Sequence, residues 1–376
     1  MKERILFLYT SGRKARIEKA SRGEAPREFF YGYTYFKKNG YDVNYLETDY
    51  LLPPRLGFEH WHLKRKNSVF AQHLGIGNRS HFFVNQIEHL NSYDLLIATT
   101  DSIALGLAHH KKKGKLKADI IYLNMGLARA LGMMSQVGSI RKYDKYRNHC
   151  KELICQCRTV VSVGKGEHQF FIDEFPDLKE KFVFIPFGVD TDFWTSSNNV
   201  KNDDNSFVLF VGNDKNRDYE LLIQVADSCP DMQFKFVTSR LTQVECPKNV
   251  ELIMGNWRNA ILSDINLKNL ICSSSLIVIP LKDSFQPSGQ SVALQAMACE
   301  IPIVITRTRG LWDPLIMQHL ENCFLVSPGD LNGFLNGIHF LMGNSNEAFR
   351  LGKNGRKTVK THYSSDQFAQ QLHSFL

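Results

Sequence analysis

Short apolar runs, each bounded by polar or glycine-containing stretches, recur along the whole chain. In the first half they read RILFLY (4–9), DVNYLE (42–47), DLLIAT (94–99), DIIYLN (119–124), TVVSVG (159–164) and FVFIPF (182–187). Runs this short, rich in Val, Ile, Phe and Tyr, predict strands covered on both faces, as in parallel sheets. Helical stretches lie between them, notably Pro26–Asn39, closed by the Asn39-Gly40 stop, and Ser102–Lys113. A polar stretch, TSSNNVKNDDNS (195–206), then shows no apolar period and reads as a linker. The alternation restarts with FVLFVG (207–212), FKFVT (234–238), VELIM (250–254), LIVIP (276–280), IPIVIT (301–306) and CFLV (323–326). After a break at Ser364–Ser365 the chain closes on a short amphipathic helical pattern. The whole predicts an α/β protein of two doubly wound, Rossmann-like domains, residues 1–195 and 196–362, followed by a helical segment 363–376. In open parallel sheets, ligands sit outside the carboxyl ends of the strands, so the loops there are where chemistry is expected.

Composition narrows the class. With 376 residues, 43% hydrophobic and 22% charged, the chain has the proportions of a globular protein with room for two cores. No apolar run approaches the ~20 residues of a membrane-spanning helix. Ile5–Tyr9 is too short for the core of a signal peptide and reads as a first strand. The eight cysteines form no C-x-x-C pair, which fits free thiols and a cytoplasmic location.

Charge is unevenly placed. Residues 1–195 hold 30 Lys/Arg against 21 Asp/Glu, a balance of +9, and the remainder holds 16 against 17, or −1. The run KKKGKLK (111–117) has two readings, a solvated loop after a helix or a patch facing an anionic surface, such as the inner face of a membrane. It lacks interleaved aromatics and no reader motif accompanies it, so nucleic acid is not an expected partner.

Two loops carry the candidate chemistry. In QPSGQS (286–291) a polar turn opens a helix running to about Cys299. The unpartnered N–H groups and partial positive charge of a first helical turn suit a phosphate. Gly289 lets the backbone approach, Ser288 and Ser291 can add hydroxyl donors, and Gln290 joins the same turn. Ser291 and Gln295 share a helical face, so Gln295 is placed to reach a ribose beyond that phosphate. The plain alternative is that Ser288 caps the helix and nothing binds. The second loop, GNDKNRDYELL (212–222), follows a strand with a Gly212-Asn213 turn and brings Lys215 and Arg217 to a helix entrance. Two cations there can neutralise a diphosphate, or be ordinary surface charges. The signatures of dinucleotide redox enzymes and P-loop phosphoryl transferases are absent.

FIPFGVDTDFW (184–194), GNDKNRDYELL (212–222), PSGQSVALQAMACEIPIVIT (287–306) and ENCFLVSPGD (321–330) stand in the order and spacing of GT-B glycosyltransferases. They resemble most the retaining, glycogen-synthase-like family four, the glycosyl transferases group 1. The resemblance runs from about residue 184 to the end. In the first half only the Rossmann-like pattern and DLLIATTDSIALGLA (94–108) match. It implies two domains facing a central cleft, the first on the acceptor side, the second holding a nucleotide-diphosphate sugar, and a final helix crossing back to the first.

Mapped by motif, the resemblance places Gly212, Asn213, Lys215 and Arg217 at the donor diphosphate. Ser288, Gly289, Gln290 and Ser291 fall at its phosphate or sugar, and Gln295 falls where the family has an acidic residue gripping the ribose. Pro287 stands where the family has its first glutamate, and Thr100-Asp101 where it has a histidine after the third strand. Asp101 is therefore a candidate for orienting the acceptor, or else the N-cap of a helix starting at Ser102. The loop SRGEAPREFFYG (21–32) offers Glu24, Arg27 and Glu28 as acceptor contacts, and Arg309 is a further one. Asp190 and Asp192 read as turn formers rather than a metal-binding pair, so the expected reaction needs no metal and no cofactor. The implied activity is transfer of a sugar to the hydroxyl of a glycan, lipid-linked or small-molecule acceptor. A non-catalytic nucleotide-sugar-binding or membrane-associated relative is the alternative.

Overall fold

The computed structural model describes residues 3–51, 57–137, 139–196, 206–255 and 261–376. Most of the polar stretch expected as a linker, 197–205, lies outside them. By internal contacts the chain divides into two compact units, one of residues 1–18, 30–185 and 369–376, the other of 19–29 and 186–368.

All twelve expected strands form. The first unit holds β1 (Arg4–Tyr9), β2 (Asp42–Glu47), β3 (Leu95–Ala98), β4 (Asp119–Leu123), β5 (Thr159–Ser162) and β6 (Phe182–Phe184) in one parallel sheet of order β2-β1-β3-β4-β5-β6. The second holds β7 (Phe207–Val211), β8 (Gln233–Val237), β9 (Val250–Ile253), β10 (Leu276–Ile279), β11 (Ile303–Thr306) and β12 (Phe324–Val326), ordered β12-β11-β10-β7-β8-β9 and again parallel. β3, β5, β10 and β11 are buried at every residue, because helices cover both sheet faces. Each sheet reverses its strand order once, at β1/β3 in the first and β7/β10 in the second.

Three local expectations need correction. Pro26–Asn39 is not one helix: a short 3₁₀ turn, Glu28–Phe30, is followed by a helix only at Tyr33–Lys38. Tyr31 and Gly32, with φ of 51° and 97°, break it between. A helix at Arg13–Ser21 went unforeseen, since its inward positions are Arg13 and Arg16 rather than apolar residues. The helix after β3 begins at Asp101, with Thr100 before it, so Asp101 is not its N-cap.

The basic run is largely paired. Lys111 meets Asp119 at 2.8 Å, Lys112 meets Glu152 at 2.6 Å and Lys115 meets Glu59 at 2.8 Å. Among the described residues, no helix is long and apolar enough to cross a membrane.

Candidate active site

The reversal at β7/β10 brings the two candidate loops together. β10 pairs directly with β7, so the chain leaving β7 (212–218) and the chain leaving β10 (280–289) emerge side by side. An isolated antiparallel bridge joins Arg217 to Leu281, and Lys282 N donates to Asn216 O at 2.8 Å. The buried Asn216 ties them further, its amide donating to Gln286 Oε1 at 3.0 Å and to Ser288 Oγ at 2.7 Å. Sequence reasoning passed over Asn216, because an Asn between Lys and Arg in a turn gives no sign of a partner 72 residues away.

Arg217 is the centre of this arrangement. Its side chain is 5% exposed and its Nε lies 3.1 Å from Asp214 Oδ2. Its Nη1 is buried with no hydrogen-bond acceptor among the described residues. The guanidinium lies between two backbones: a Cβ added at Gly212 would overlap its Nε, and one at Gly289 would stand 2.6 Å from its Nη1. Glycine at both positions is therefore what makes room for the arginine. Lys215 is exposed on the same turn. Asn213 is spent on its neighbours, with Nδ2 donating to Gly255 O at 2.6 Å and Oδ1 accepting from Ser239 N at 2.6 Å and Ser239 Oγ at 2.9 Å. That holds the Gly212 turn against the end of β8.

The helix beyond the second loop spans Gln290–Ala298, with Gly289 at φ 78° before it and no side chain capping it. Ser288 is therefore not the cap. The first turn, with buried Gln290 and half-buried Ser291, opens directly beside the Arg217 guanidinium. Gly289→Ala adds a Cβ at a left-handed φ, 2.6 Å from Arg217 Nη1 and 2.8 Å from Ile279 Cγ2. It is expected to cost about 1–3 kcal/mol in thermal or urea unfolding. Gly343→Ala, whose Cβ meets nothing within 4 Å, should not lower stability.

Further along the same helix, Gln295 is buried and its Nε2 donates to Glu28 Oε1 at 3.1 Å. Glu28 Oε1 also accepts from Trp194 Nε1 at 2.8 Å, and its Oε2 from Asp190 N at 3.1 Å. Burial pushes the Glu28 carboxyl up to about 7, against the pull of these donors. Next to it, Arg27 makes a bidentate pair with Asp190, Nε to Oδ2 and Nη2 to Oδ1 both at 2.7 Å, and reaches Asp192 Oδ2 at 2.7 Å. Burial alone would raise Asp190, but the Arg27 hydrogen bonds and charge outweigh it and hold the carboxyl below its usual range. Asp190, Asp192, Arg27 and Glu28 thus form one ion and hydrogen-bond cluster that fastens segment 24–29 into the second unit.

The remaining candidates lie outside that cluster. Glu24 faces its neighbour Arg22, with oxygens at 3.0 and 2.9 Å. Arg309 pairs with Asp283 at 2.7 Å and lies over the Phe285 ring at 4.4 Å, beside the second loop. Asp101 sits in the first unit at the carboxyl end of β3. It is buried, its Oδ1 accepting from Tyr122 OH at 2.6 Å and Met125 N at 3.0 Å, and burial raises its carboxyl. Close by, the fully buried Glu167 accepts from Asn124 Nδ2 and Val163 N, both at 2.8 Å, and burial pushes it up to about 8.

This fold has known relatives. The whole chain superposes on *Anabaena* HepE in complex with UDP and glucose, with a TM-score of 0.67 at 15% identity, covering 99% of this chain and 98% of that one. The sucrose-phosphate synthase of *Thermosynechococcus elongatus* gives 0.68 at 14% identity over the same shares. The chain is thus a two-unit protein of GT-B fold. Residues 205–344, which contain both loops, match the family model described as Glycosyl transferases group 1. That match lies within the second unit. Over 84 residues it is also 30% identical to the capsular polysaccharide biosynthesis glycosyltransferase CapM of *Staphylococcus aureus*, a stretch that is 22% of each chain.

Proposed function

We propose that the protein transfers a glycosyl group from a nucleoside-diphosphate sugar to an acceptor hydroxyl. The carrying observation is Arg217, a buried guanidinium with an unmatched Nη1, held between Gly212 and Gly289 beside an uncapped helix start. A diphosphate at that spot supplies the missing acceptor. In the reaction the bond from the anomeric carbon to the phosphate oxygen breaks and its electron pair leaves with the diphosphate. The acceptor oxygen bonds to the anomeric carbon and its proton leaves with the departing group. Arg217, Lys215 and the first-turn N–H groups at Gly289–Ser291 would offset the charge that builds on the leaving phosphate, a preorganised electrostatic effect. Ser288 and Asn216 would hold the turn in place. HepE bound to UDP and glucose, and to UDP-glucose in a second structure, makes a uridine donor the first to try.

By the same family resemblance the reaction would retain anomeric configuration and need no metal. The test is release of nucleoside diphosphate from UDP-glucose, ADP-glucose and GDP-mannose, with lipid and glycan extracts as acceptors, with and without EDTA. The expected result is turnover of one donor, unchanged by EDTA. Loss of turnover in EDTA, restored by a divalent cation, would sink metal independence. The second reading, a non-catalytic nucleotide-sugar reader, is favoured by one feature, Pro287 where a donor-contacting glutamate is expected. It predicts nucleotide binding with no release from any donor.

A further inference from the structure

The helix Phe58–Leu74, in the first unit, is apolar on two opposite faces. One face, His60, Leu63, Asn67, Phe70 and Leu74, is buried against its unit. Directly opposite, Phe58, Trp61, Arg65 and Val69 follow one another at helical spacing and project into solvent. Phe58 is 82% exposed, Trp61 51% and Val69 49%. The rings of Phe58 and Trp61 lie 6.4 Å apart, with the Arg65 guanidinium 5.6 Å over the Trp61 ring. Among the described residues of this unit, nothing covers that stripe.

Its charge says what would cover it. Lys64 and Lys66 flank the stripe on either side, and neither they nor Arg65 pair with a carboxylate among the described residues. The helix's one acid, Glu59, is engaged by Lys115. Lys66 and Lys113 also stand close to His109, whose imidazole is lowered to about 4 by burial and by His110, Lys66 and Lys113. The positive surface therefore continues from this helix to the end of helix Asp101–Lys112. Exposed Phe and Trp among unpaired Lys and Arg, on one side of a helix, is the composition of a segment lying in a membrane interface with its cations among anionic headgroups.

We infer that the outward face of helix Phe58–Leu74 docks the protein on an anionic lipid surface, with Phe58 and Trp61 inserted and Lys64, Arg65 and Lys66 at the headgroups. This moves the contact away from Lys111 and Lys112 of the basic run, which are paired with carboxylates of their own unit.

The experiment is co-sedimentation of the full chain with vesicles of equimolar phosphatidylcholine and phosphatidylglycerol, against pure phosphatidylcholine, at low and high salt. Binding is expected to the mixed vesicles alone and to weaken with salt. Lys64→Gln/Lys66→Gln should lower partitioning by roughly five-fold per lysine, and Phe58→Ser/Trp61→Ser at least about ten-fold. All four side chains are exposed, so circular dichroism should show each variant folded. Lys111→Gln/Lys112→Gln should bind as the wild type does. Equal binding to both vesicle types, no binding to either, or full binding by Phe58→Ser/Trp61→Ser would overturn the inference. So would a change of oligomeric state in Phe58→Ser/Trp61→Ser on gel filtration, which would make the stripe a protein interface.

Discussion

Arg217→Ala should lower kcat/KM for the donor by about 10²–10³-fold, the usual cost of removing one group that stabilises charge in the transition state. It should do so with little change in stability, within roughly 3 °C in Tm for a unit of this size. Two opposed effects make the stability change small. Truncation loses the packing of the arginine stem between Gly212 and Gly289, yet it also removes a buried cation whose ion-pair partner among the described residues is the half-exposed Asp214. The bridge to Leu281 is made by backbone and survives. Arg217→Lys keeps a charge without the fork of donors and should fall between. Steady-state kinetics alongside differential scanning calorimetry decides the matter. Parallel losses of activity and stability would make Arg217 a structural residue.

The largest stability effect is expected at Glu28. Alanine there leaves three buried donors, Trp194 Nε1, Gln295 Nε2 and Asp190 N, without their acceptor. At about 1–3 kcal/mol for each unsatisfied group, partly relieved by relaxation, the loss should be on the order of 3–5 kcal/mol in urea unfolding. Its pH dependence has a definite sign. The folded-state value, about 7, lies above the ordinary glutamate range, so the folded protein holds this proton more tightly than the unfolded chain. The stability this contributes is fully present below about pH 4.3 and is lost as pH rises to about 7, an upper bound of roughly 4 kcal/mol. Glu167, raised to about 8 by burial, acts in the same direction in the first unit. Asp190 opposes them, because its lowered carboxyl gives stability that is lost only on acidification. Glu28→Gln should flatten the stability profile between about pH 5 and 7. An unchanged slope there would remove Glu28 as its source.

The strands were legible in the sequence because parallel strands buried on both faces must be apolar at nearly every position. The structure mostly trims their ends, as where TVVSVG gives a strand of Thr159–Ser162, and shifts one by a residue, FKFVT becoming Gln233–Val237. Helices were read less well, for identifiable reasons. Arg13–Ser21 buries two arginines, which inverts the pattern that periodicity looks for. Within Pro26–Asn39 the break at Gly32 was visible as a glycine, but the positive φ of Tyr31 was not. The outward stripe of Phe58–Leu74 was missed because apolar residues on both faces leave no clear period.

The candidate site was legible as two loops but not as one structure. Gly212, Arg217 and Gly289 were each named from local motif logic, and their mutual contact depends on β7 and β10 being neighbours, a fact of strand order. The cluster at Arg27 and Glu28 depends on partners 162 to 166 residues away at Asp190 and Trp194, which no local pattern reports. Asn216 was hidden in the same way.

The most direct test of the donor site is thermal stabilisation of the wild type and of Arg217→Ala by UDP, GDP, ADP and CMP. A nucleotide at about 100 times its Kd adds ~2.7 kcal/mol to the folded state, several degrees of Tm. The account predicts that one nucleoside diphosphate stabilises the wild type and that the shift is lost or greatly reduced in Arg217→Ala. Equal stabilisation of both proteins, or of neither by any nucleotide, would contradict it.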